Sequence, residues 1–273
     1  MDEQISSLPE IPLSTGCEIA AVSPCGLIAI NKKAGRASHP NPDAGRNDKP
    51  PMVKARYNFD DEYYSWLDED GQKHRLYLVN RLDSPTSGII LAGFDPDAVQ
   101  AAKEQFRARN VRKKYAAIVL GNVIPKFGEW NDRLSTQKFA GFVRSVSGRV
   151  FGAQAQQKAS ARYNVEAFDQ NSLGLSLLTL EPHTGLTHQL RVQCAKHRCP
   201  ILGDATYGDF ARNKRVKALT GISRLFLHCL ETSLEIELRG EKISFSAAAP
   251  LPESFEKIIR YNPDIKKRTL NLR

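Results

Sequence analysis

Short apolar segments separated by turn residues run along this chain, and one pair of them encloses a polar loop. Residues 76–79 are apolar, residues 80–88 read Asn-Arg-Leu-Asp-Ser-Pro-Thr-Ser-Gly, and residues 89–92 are apolar again. Pro85 and Gly88 mark a turn inside the polar segment. The pattern predicts a strand, a sharp loop and a second strand. Side chains on a loop between rigid strands are well placed for chemistry.

Arg81 and Asp83 are the charged side chains of that loop. An Arg two residues before an Asp is common, and such a pair is most often solvated or structural. The pair alone therefore does not assign a function, and the other segments must decide between a structural and a catalytic role.

The remaining segments predict more strands and a few helices. A buried strand is expected at residues 27–30, and the Asp-Gly pair at 70–71 predicts a hairpin. The Asp-Pro pair at 95–96 predicts the start of a helix that runs to about Asn110. Further strands are expected at 112–121, 161–165, 173–181, 224–228 and 234–238, and a short amphipathic helix at 254–261.

A second polar block, Pro-His-Thr-Gly-Leu-Thr-His-Gln-Leu-Arg-Val-Gln, occupies residues 182–193. Thr187 is a candidate N-cap, and an apolar stripe with helical spacing begins at Leu190. These features place Arg191 on a helix. The block Pro-Ile-Leu-Gly-Asp-Ala-Thr-Tyr-Gly follows at 200–208.

The positive charge of the chain is unevenly distributed. The formal net charge is +9, from 39 Lys and Arg against 30 Asp and Glu. No carboxylate lies between Asp132 and Glu166 or between Asp209 and Glu231, although both stretches contain several Lys and Arg. Acid-free stretches are typical of a surface that binds a polyanion. We therefore favour a nucleic acid partner over a basic surface that serves only solubility.

Five cysteines without paired spacing argue against a disulfide framework. Cys194 and Cys199 flank His197 and suggest zinc, but structural zinc takes four ligands in two pairs. The chain offers no convincing second pair. We expect buried free thiols and no metal.

No run approaches the roughly 20 apolar residues that a membrane helix needs, and the acidic N-terminus lacks the features of a signal peptide. We expect a cytoplasmic protein with no membrane partner. Residues 1–15 are predicted to form a flexible leader, residues 16–262 the folded domain, and residues 263–273 a basic tail.

Several blocks resemble, in the same order, the motifs of the RluA-type pseudouridine synthases. Residues 80–88 are similar to H-R-L-D-x-x-T-S-G, and residues 112–121 to K-x-Y-x-A-x-V-x-G. The block at 182–193 resembles T-G-R-T-H-Q-[IL]-R-V-H, and the block at 200–208 resembles P-[IL]-x-G-D-x-x-Y-G. Residues 31–40 resemble the family's N-K-P-A-G…H-P opening.

This resemblance implies an α+β fold with a mixed, mostly antiparallel central sheet, flanking helices and a catalytic cleft. It implies an RNA pseudouridine synthase, an isomerase that detaches uracil at N1 and rejoins it to the ribose through C5. The target base must first be flipped out of its stack. The reaction is redox-neutral, so we expect no cofactor, and both common glycine-rich phosphate-loop motifs are absent.

The resemblance also assigns roles to individual residues. Asp83 is the essential carboxylate, acting as a nucleophile or as a base, and Arg191 keeps it ionised and oriented. Tyr115 packs on the flipped uracil, and Leu190 forms the other wall of its pocket. Arg81 fills the gap that the flipped base leaves, since a guanidinium can both stack and hydrogen-bond.

The chain departs from the family motifs at Lys33, Asn80, Leu186 and Gln193. These departures support one alternative, a non-catalytic RNA-binding protein on the same scaffold. An unrelated hydrolase would need a Ser-His or metal constellation that the sequence does not provide. The substrate RNA is left open between ribosomal and transfer RNA, and we expect a monomer.

Overall fold

The computed structural model describes residues 8–41, 49–139, 142–147, 155–169 and 173–261. The chain divides into two compact units. Unit 1 comprises Met1–Lys114 and Cys229–Pro250, and unit 2 comprises Tyr115–His228 and Leu251–Arg273. Each unit is therefore assembled from two separate stretches of sequence. The single catalytic domain expected over residues 16–262 stays a prediction.

Strands dominate both units, and short helices accompany them. The strands are β1 (Glu18–Val22), β2 (Leu27–Lys32), β3 (Arg56–Asn58), β4 (Tyr63–Leu67), β5 (Lys73–Leu78), β6 (Ser87–Gly93), β7 (Arg112–Leu120), β8 (Phe127–Phe139), β9 (Phe142–Ser147), β10 (Gln157–Phe168), β11 (Leu175–Pro182), β12 (Leu227–Leu238) and β13 (Glu241–Ala248). The helices are α1 (Pro96–Ala108), α2 (Gln189–Lys196), α3 (Phe210–Thr220) and α4 (Glu253–Ile259).

Unit 1 contains the strand order β3-β4-β5-β6-β12, with β2 also bonded to β6, β1 to β2, and β13 to β12. The β2–β6, β4–β5 and β12–β13 pairs are antiparallel. Strands β2 and β6 are buried on both faces, which explains their continuous apolar sequences. Ile28, Ile30 and Ile90 form a core there with Tyr64 and Leu76.

Unit 2 contains the strand order β7-β11-β10-β8-β9, in which every neighbouring pair is antiparallel. Helix α2 lies against β8 and β10, where Val192 packs with Leu134 and Ala159. Helix α4 buries Phe255 completely, with its ring centroid 5.2 Å from that of Phe226. The sheet therefore supplies a fixed base for the helix that carries Arg191.

The expected fold class is confirmed, since the described strands form a mostly antiparallel sheet structure with helices beside it. The hairpin predicted at residues 70–71 joins β4 to β5. Asp95 caps α1 by accepting the backbone N–H of Asp97 at 2.9 Å, as predicted. No helix in the described ranges is long and apolar enough to cross a lipid bilayer.

The prediction that Thr187 caps α2 is wrong. The helix begins at Gln189, and His188 occupies the N-cap position with a left-handed φ of 54° and no side-chain cap. The Gln189 side chain instead accepts the backbone N–H of Leu186 at 3.1 Å. The start of the helix is thus fixed by an amide from within it.

The two strands predicted at residues 224–228 and 234–238 belong largely to one strand, β12. Polar residues between them interrupt the apolar pattern, but their backbones pair with β13 from Glu231 onward. Thr232 is buried within this pairing although it is polar. Backbone pairing, which has no sequence signature of its own, continues the strand.

The structure describes residues 8–15 of the leader predicted at residues 1–15. Ile11 is buried, and Leu13 forms a β-bridge with Val53. The first seven residues and the basic tail predicted at 263–273 lie outside the described residues.

Candidate active site

The loop between β5 and β6 carries Arg81 and Asp83, as predicted. The Ser38 hydroxyl holds this loop as both donor and acceptor. It donates to the Leu82 carbonyl at 2.7 Å and accepts the Leu82 N–H at 3.0 Å. The Thr86 N–H donates to the Asp83 carbonyl at 3.0 Å. The half-buried Asp83 carboxylate therefore projects from a backbone that is fixed on both sides.

A buried lysine supports the same loop from the interior of unit 1. Lys32 is fully buried, and its ammonium donates to the carbonyls of Ser84 at 3.2 Å and Thr86 at 2.5 Å. It also donates to the carbonyls of Lys33 at 3.3 Å and Arg36 at 2.7 Å. An ammonium needs such acceptors in the interior because burying it without them is costly. Lys32 thus ties the turn after β2 to the Asp83 loop.

Contacts explain which residues occupy the two ends of the loop. The Asn80 amide oxygen accepts the backbone N–H of Leu91 at 2.8 Å. Gly88 has a φ of 105°, and a β-carbon there would collide with the backbone of Cys229. Any larger residue at position 88 would be both strained and obstructed.

Arg81 is exposed, and its guanidinium is oriented by His39. The Arg81 Nη1 atom lies 3.0 Å from His39 Nε2, and His39 Nδ1 lies 2.7 Å from the Pro40 carbonyl. A guanidinium only donates, so Nε2 accepts and Nδ1 carries the proton that it donates to Pro40. The His39 ring also stacks on Tyr57, with centroids 5.3 Å apart and planes inclined by 16°.

In unit 2, Arg191 lies in the first turn of α2 and forms a buried, bidentate ion pair. Its Nε donates to Asp204 Oδ2 at 2.8 Å, and its Nη2 donates to Asp204 Oδ1 at 2.9 Å. The guanidinium also lies over the Tyr207 ring, 5.2 Å from the centroid. Two parallel hydrogen bonds fix the orientation of the guanidinium as well as its position.

The electrostatics of Asp204 follow from this pairing. Burial is the largest single cause and raises the pKa of its carboxyl, but the hydrogen bond and charge of Arg191 lower it. The backbone N–H groups of Tyr207 and Thr206 also donate to it. The net result is a lowered pKa, so Asp204 stays ionised beside Arg191.

The C-terminal half of α2 is attached to β8 through Asp132. This buried carboxylate accepts from Gln193 Nε2 at 2.9 Å, Lys196 Nζ at 2.6 Å and His197 Nε2 at 3.1 Å. Burial raises its pKa, but the three donors outweigh burial and lower it. His197 also stacks on Trp130, with centroids 4.8 Å apart.

The N-terminal half of α2 is attached to β10 through a chain of buried amides. Thr184 donates its hydroxyl to Gln189 Oε1 at 2.7 Å. Gln189 Nε2 donates to the Ser160 carbonyl at 3.1 Å and to Gln193 Oε1 at 3.2 Å. This network holds both turns of α2 against the sheet of unit 2 and so positions Arg191 and Leu190.

The structure distributes the predicted site residues between the two units. Arg81 and Asp83 belong to unit 1. Tyr115, Leu190 and Arg191 belong to unit 2, where all three are buried. A single reaction centre built from both groups stays a prediction.

No role was assigned from the sequence to several residues that hold the site: Lys32, Ser38, His39, Asp132 and Asp204. Four of them lie inside motif blocks: Lys32, Ser38 and His39 within residues 31–40, and Asp204 within residues 200–208. Their contacts join separate parts of the chain, and no local spacing reveals those contacts.

The departures from the family motifs are accommodated locally. Gln193, at a position where the motif has His, donates to Asp132. Leu186, at a position where the motif has Arg, packs beside Val192. Lys33 is exposed, next to the buried Lys32.

All five cysteines are free thiols. Cys194, Cys199 and Cys229 are buried, as expected, whereas Cys17 and Cys25 are only partly buried. Within the described part of the chain, no cluster of three His, Cys, Asp or Glu side chains could hold a metal ion.

Comparison with known proteins identifies the family. A family model described as RNA pseudouridylate synthase matches residues 26–196, which is more than half of the chain. The chain belongs to the RNA pseudouridylate synthase family. It is therefore an isomerase that acts on RNA, and RNA is its partner.

Two curated relatives align with this pseudouridylate synthase at the same identity but over different shares of their lengths. The tRNA pseudouridine synthase C of Yersinia pestis is 32% identical over 227 residues, covering 81% of this chain and 82% of the relative. The ribosomal large subunit pseudouridine synthase C of Haemophilus influenzae is 32% identical over 176 residues, covering 63% of this chain and 51% of the relative.

Solved structures agree with the fold class. Human RNA Pseudouridylate Synthase Domain Containing 4 matches with a TM-score of 0.58 and 25% identity, over 88% of this chain and 91% of that one. Human RNA Pseudouridylate Synthase Domain Containing 1 matches with a TM-score of 0.62 over 97% of both chains, at 19% identity. The second similarity concerns the fold alone.

Proposed function

We propose that this enzyme converts a uridine in transfer RNA to pseudouridine. The supporting observation is the extent of the similarity. The relative named for tRNA aligns over about four fifths of both chains, at 81% and 82%, whereas the relative named for ribosomal RNA aligns over 51% of its own length. Ribosomal RNA is the second candidate substrate, because the identity is 32% in both cases.

Asp83 is the proposed essential carboxylate. The reaction breaks the bond between N1 and C1′ of the nucleotide and forms a bond between C5 and C1′, while C5 loses a proton and N1 gains one. Asp83 acts at the ribose or at C6 of the base. The hydrogen bonds from Ser38 and Lys32 to its loop support this role, because a catalytic group must be held in a fixed geometry.

Arg191, Tyr115 and Leu190 complete the proposed centre. Arg191 pairs with Asp83 and keeps it ionised. Tyr115 packs on the flipped uracil and assists the loss of the C5 proton, and Leu190 forms the opposite wall. The ion pair with Asp204 supports the assignment of Arg191, because it holds the guanidinium in one orientation.

Arg81 is proposed to occupy the space that the flipped uridine leaves in the RNA. Its exposure fits this role, since the side chain must reach into the nucleic acid. His39 gives the guanidinium a defined resting position through the 3.0 Å hydrogen bond. We further propose that the enzyme works as a cytoplasmic monomer without a metal ion.

The test is tritium release from a tRNA transcript labelled at C5 of uridine. The wild type should release tritium, and Asp83→Ala should release none while its Kd for the transcript changes less than about threefold. Asp61→Ala removes an exposed carboxylate from the same unit and should behave as the wild type. Product formation by Asp83→Ala at the wild-type rate would refute the role of Asp83.

A parallel reaction with ribosomal RNA separates the substrate question from the activity. Tritium release from ribosomal RNA but not from tRNA would identify ribosomal RNA as the substrate. Binding without release from either RNA would favour the non-catalytic RNA-binding alternative.

A further inference from the structure

Helix α3 exposes most of its surface, and one side holds it to unit 2. The guanidinium of Arg212 donates to the Leu173 carbonyl at 2.8 Å. Asn213 accepts the Gly203 N–H at 2.8 Å and donates to the Asp204 carbonyl at 3.1 Å. Val216 is the one buried residue of the helix. Positions 212, 213 and 216 therefore define its inner side.

The opposite side carries an aromatic ring and three positive charges. Phe210, Lys214 and Lys217 lie at i, i+4 and i+7, so they share one face of the helix. Arg215 is beside them, and all four residues are exposed, with Phe210 at 64%. Across the described residues, no carboxylate forms an ion pair with Lys214, Arg215 or Lys217.

Stability of the helix does not account for this composition. Lys217, in the last turn, complements the negative end of the helix dipole, but Lys214 and Arg215 lie further from that end. An exposed Phe contributes nothing to the core. A face with three cations, one exposed ring and no acid has the composition of a nucleic acid contact.

We propose that the outer face of α3, formed by Phe210, Lys214, Arg215 and Lys217, binds the substrate RNA outside the reaction centre. The three cations contact backbone phosphates, and the Phe210 ring stacks on an unpaired base. This proposal rests on the proposed function, since it concerns the RNA that the enzyme modifies.

The attachment of α3 defines where the RNA would be held. Asn213 bonds to both residues of the Gly203–Asp204 turn, and Asp204 holds Arg191. Gly203 has a φ of 76°, and a β-carbon there would collide with the Arg224 carbonyl, so the turn itself is closely constrained. RNA bound on α3 is therefore at a fixed distance from the Arg191 guanidinium within unit 2.

The main test replaces the three cations together, as Lys214→Gln, Arg215→Gln and Lys217→Gln. The matched control replaces Lys242, Lys257 and Arg260 with Gln. Those three already have carboxylates beside them: Glu237 lies opposite Lys242, Glu253 pairs with Lys257, and Glu256 pairs with Arg260. Both variants remove three positive charges. A difference between them in KM or in the salt dependence of Kd therefore depends on where the charges lie and not on the net charge.

The α3 variant should raise KM for the tRNA transcript roughly tenfold and leave kcat within about twofold, because phosphate contacts supply binding and not chemistry. The slope of log Kd against log salt should fall by about 2 to 3, close to one for each phosphate that is no longer neutralised. The control should keep both values near those of the wild type. Equal KM values and equal slopes for the two variants would overturn the proposal.

Phe210→Ala tests the stacking contact separately. Binding should weaken about fivefold or more with an unchanged salt slope, because the ring carries no charge. An unchanged Kd would remove Phe210 from the binding surface. Circular dichroism melts verify that each variant is folded. We expect all of them to fold, because the substituted residues are exposed.

Failure of the proposed function is recognised independently. If the wild type releases no tritium from either RNA, the function is wrong. The Kd and salt slope of the α3 variant still decide whether α3 binds RNA, because neither measurement requires turnover.

Discussion

The Asp83 loop in unit 1 and helix α2 in unit 2 are both held firmly, but by different groups. The loop is bound through its backbone: Lys32 binds the carbonyls of Ser84 and Thr86, and Ser38 binds both the N–H and the carbonyl of Leu82. Side chains make the contacts of α2, through Asp204 and Asp132. These backbone contacts do not depend on the side chains of Leu82, Ser84 or Thr86, whereas α2 depends on particular carboxylates and amides.

The largest effect is expected from Asp204→Asn. The change removes the negative charge of Asp204 from the buried Arg191, and breaking such a pair costs about 3 kcal/mol or more. Chemical denaturation should show this loss, and kcat should fall at least about tenfold because the guanidinium is no longer fixed. Asp209→Asn is the control, because Asn also caps α3 and the exposed site loses the same charge. Equal stability of the two variants would contradict the dependence of α2 on Asp204.

A smaller but clear effect is expected from Lys32→Met. The apolar side chain fills similar space but removes the ammonium from four carbonyls, at a cost of about 2 kcal/mol. The carbonyls of Ser84 and Lys33 keep a second donor, the N–H groups of Gly35 and Arg36. The kcat should fall because the Asp83 loop loses its internal support. Lys33→Met changes the exposed neighbour and should alter stability by less than about 0.5 kcal/mol. The same measurement on Ser84→Ala should also give a small change, since Ser84 supports the loop through its carbonyl.

Asp132→Asn tests how the contribution of the Asp132 carboxylate to the free energy of unfolding depends on pH. The three donors hold the pKa of Asp132 below its ordinary value of 3.8, so its stabilising contribution is present above that value and is lost as pH falls through the folded-state pKa. The variant should be about 1 to 2 kcal/mol less stable than the wild type at neutral pH. The difference should shrink below about pH 4. Denaturation curves at several pH values would show a constant difference if Asp132 had no such role.

The smallest effect is expected from Asn80→Ala. It removes the acceptor for the Leu91 N–H and should cost about 1 kcal/mol. Asn80→Asp keeps an oxygen at the same place and should cost less. If both variants were destabilised equally, the hydrogen bond to Leu91 would not be the reason for Asn at this position.

Local patterns in the sequence were enough to predict much of unit 1. The Asp-Gly turn, the Asp95 cap and the apolar segments around the Asp83 loop are signals contained within a few residues, and each appears in the structure. The loop itself was found in the same way, because its polar residues interrupt two apolar strands.

Features that depend on distant residues could not be predicted. Lys32 reads as an ordinary charged residue at a strand end, and only the approach of Ser84 and Thr86 makes its burial possible. The prediction of the α2 cap was wrong because the side-chain oxygen of Gln189, inside the helix, accepts the N–H of Leu186 and the hydroxyl of Thr184. Thr187 was expected to cap the helix instead. That Asp83 and Arg191 act in one reaction centre is a prediction from family resemblance, not from any spacing.

The division of each unit into two stretches of sequence has a consequence for synthesis on the ribosome. Unit 1 contains the Asp83 loop, yet Gly88 beside that loop packs against Cys229, in the second stretch of the unit. A nascent chain therefore carries the buried strands β2 and β6 long before β12 and β13 exist. The contact between Gly88 and Cys229 forms only after β12 has been synthesised, so this part of unit 1 is completed late. Neither unit can be obtained by a single truncation of the chain.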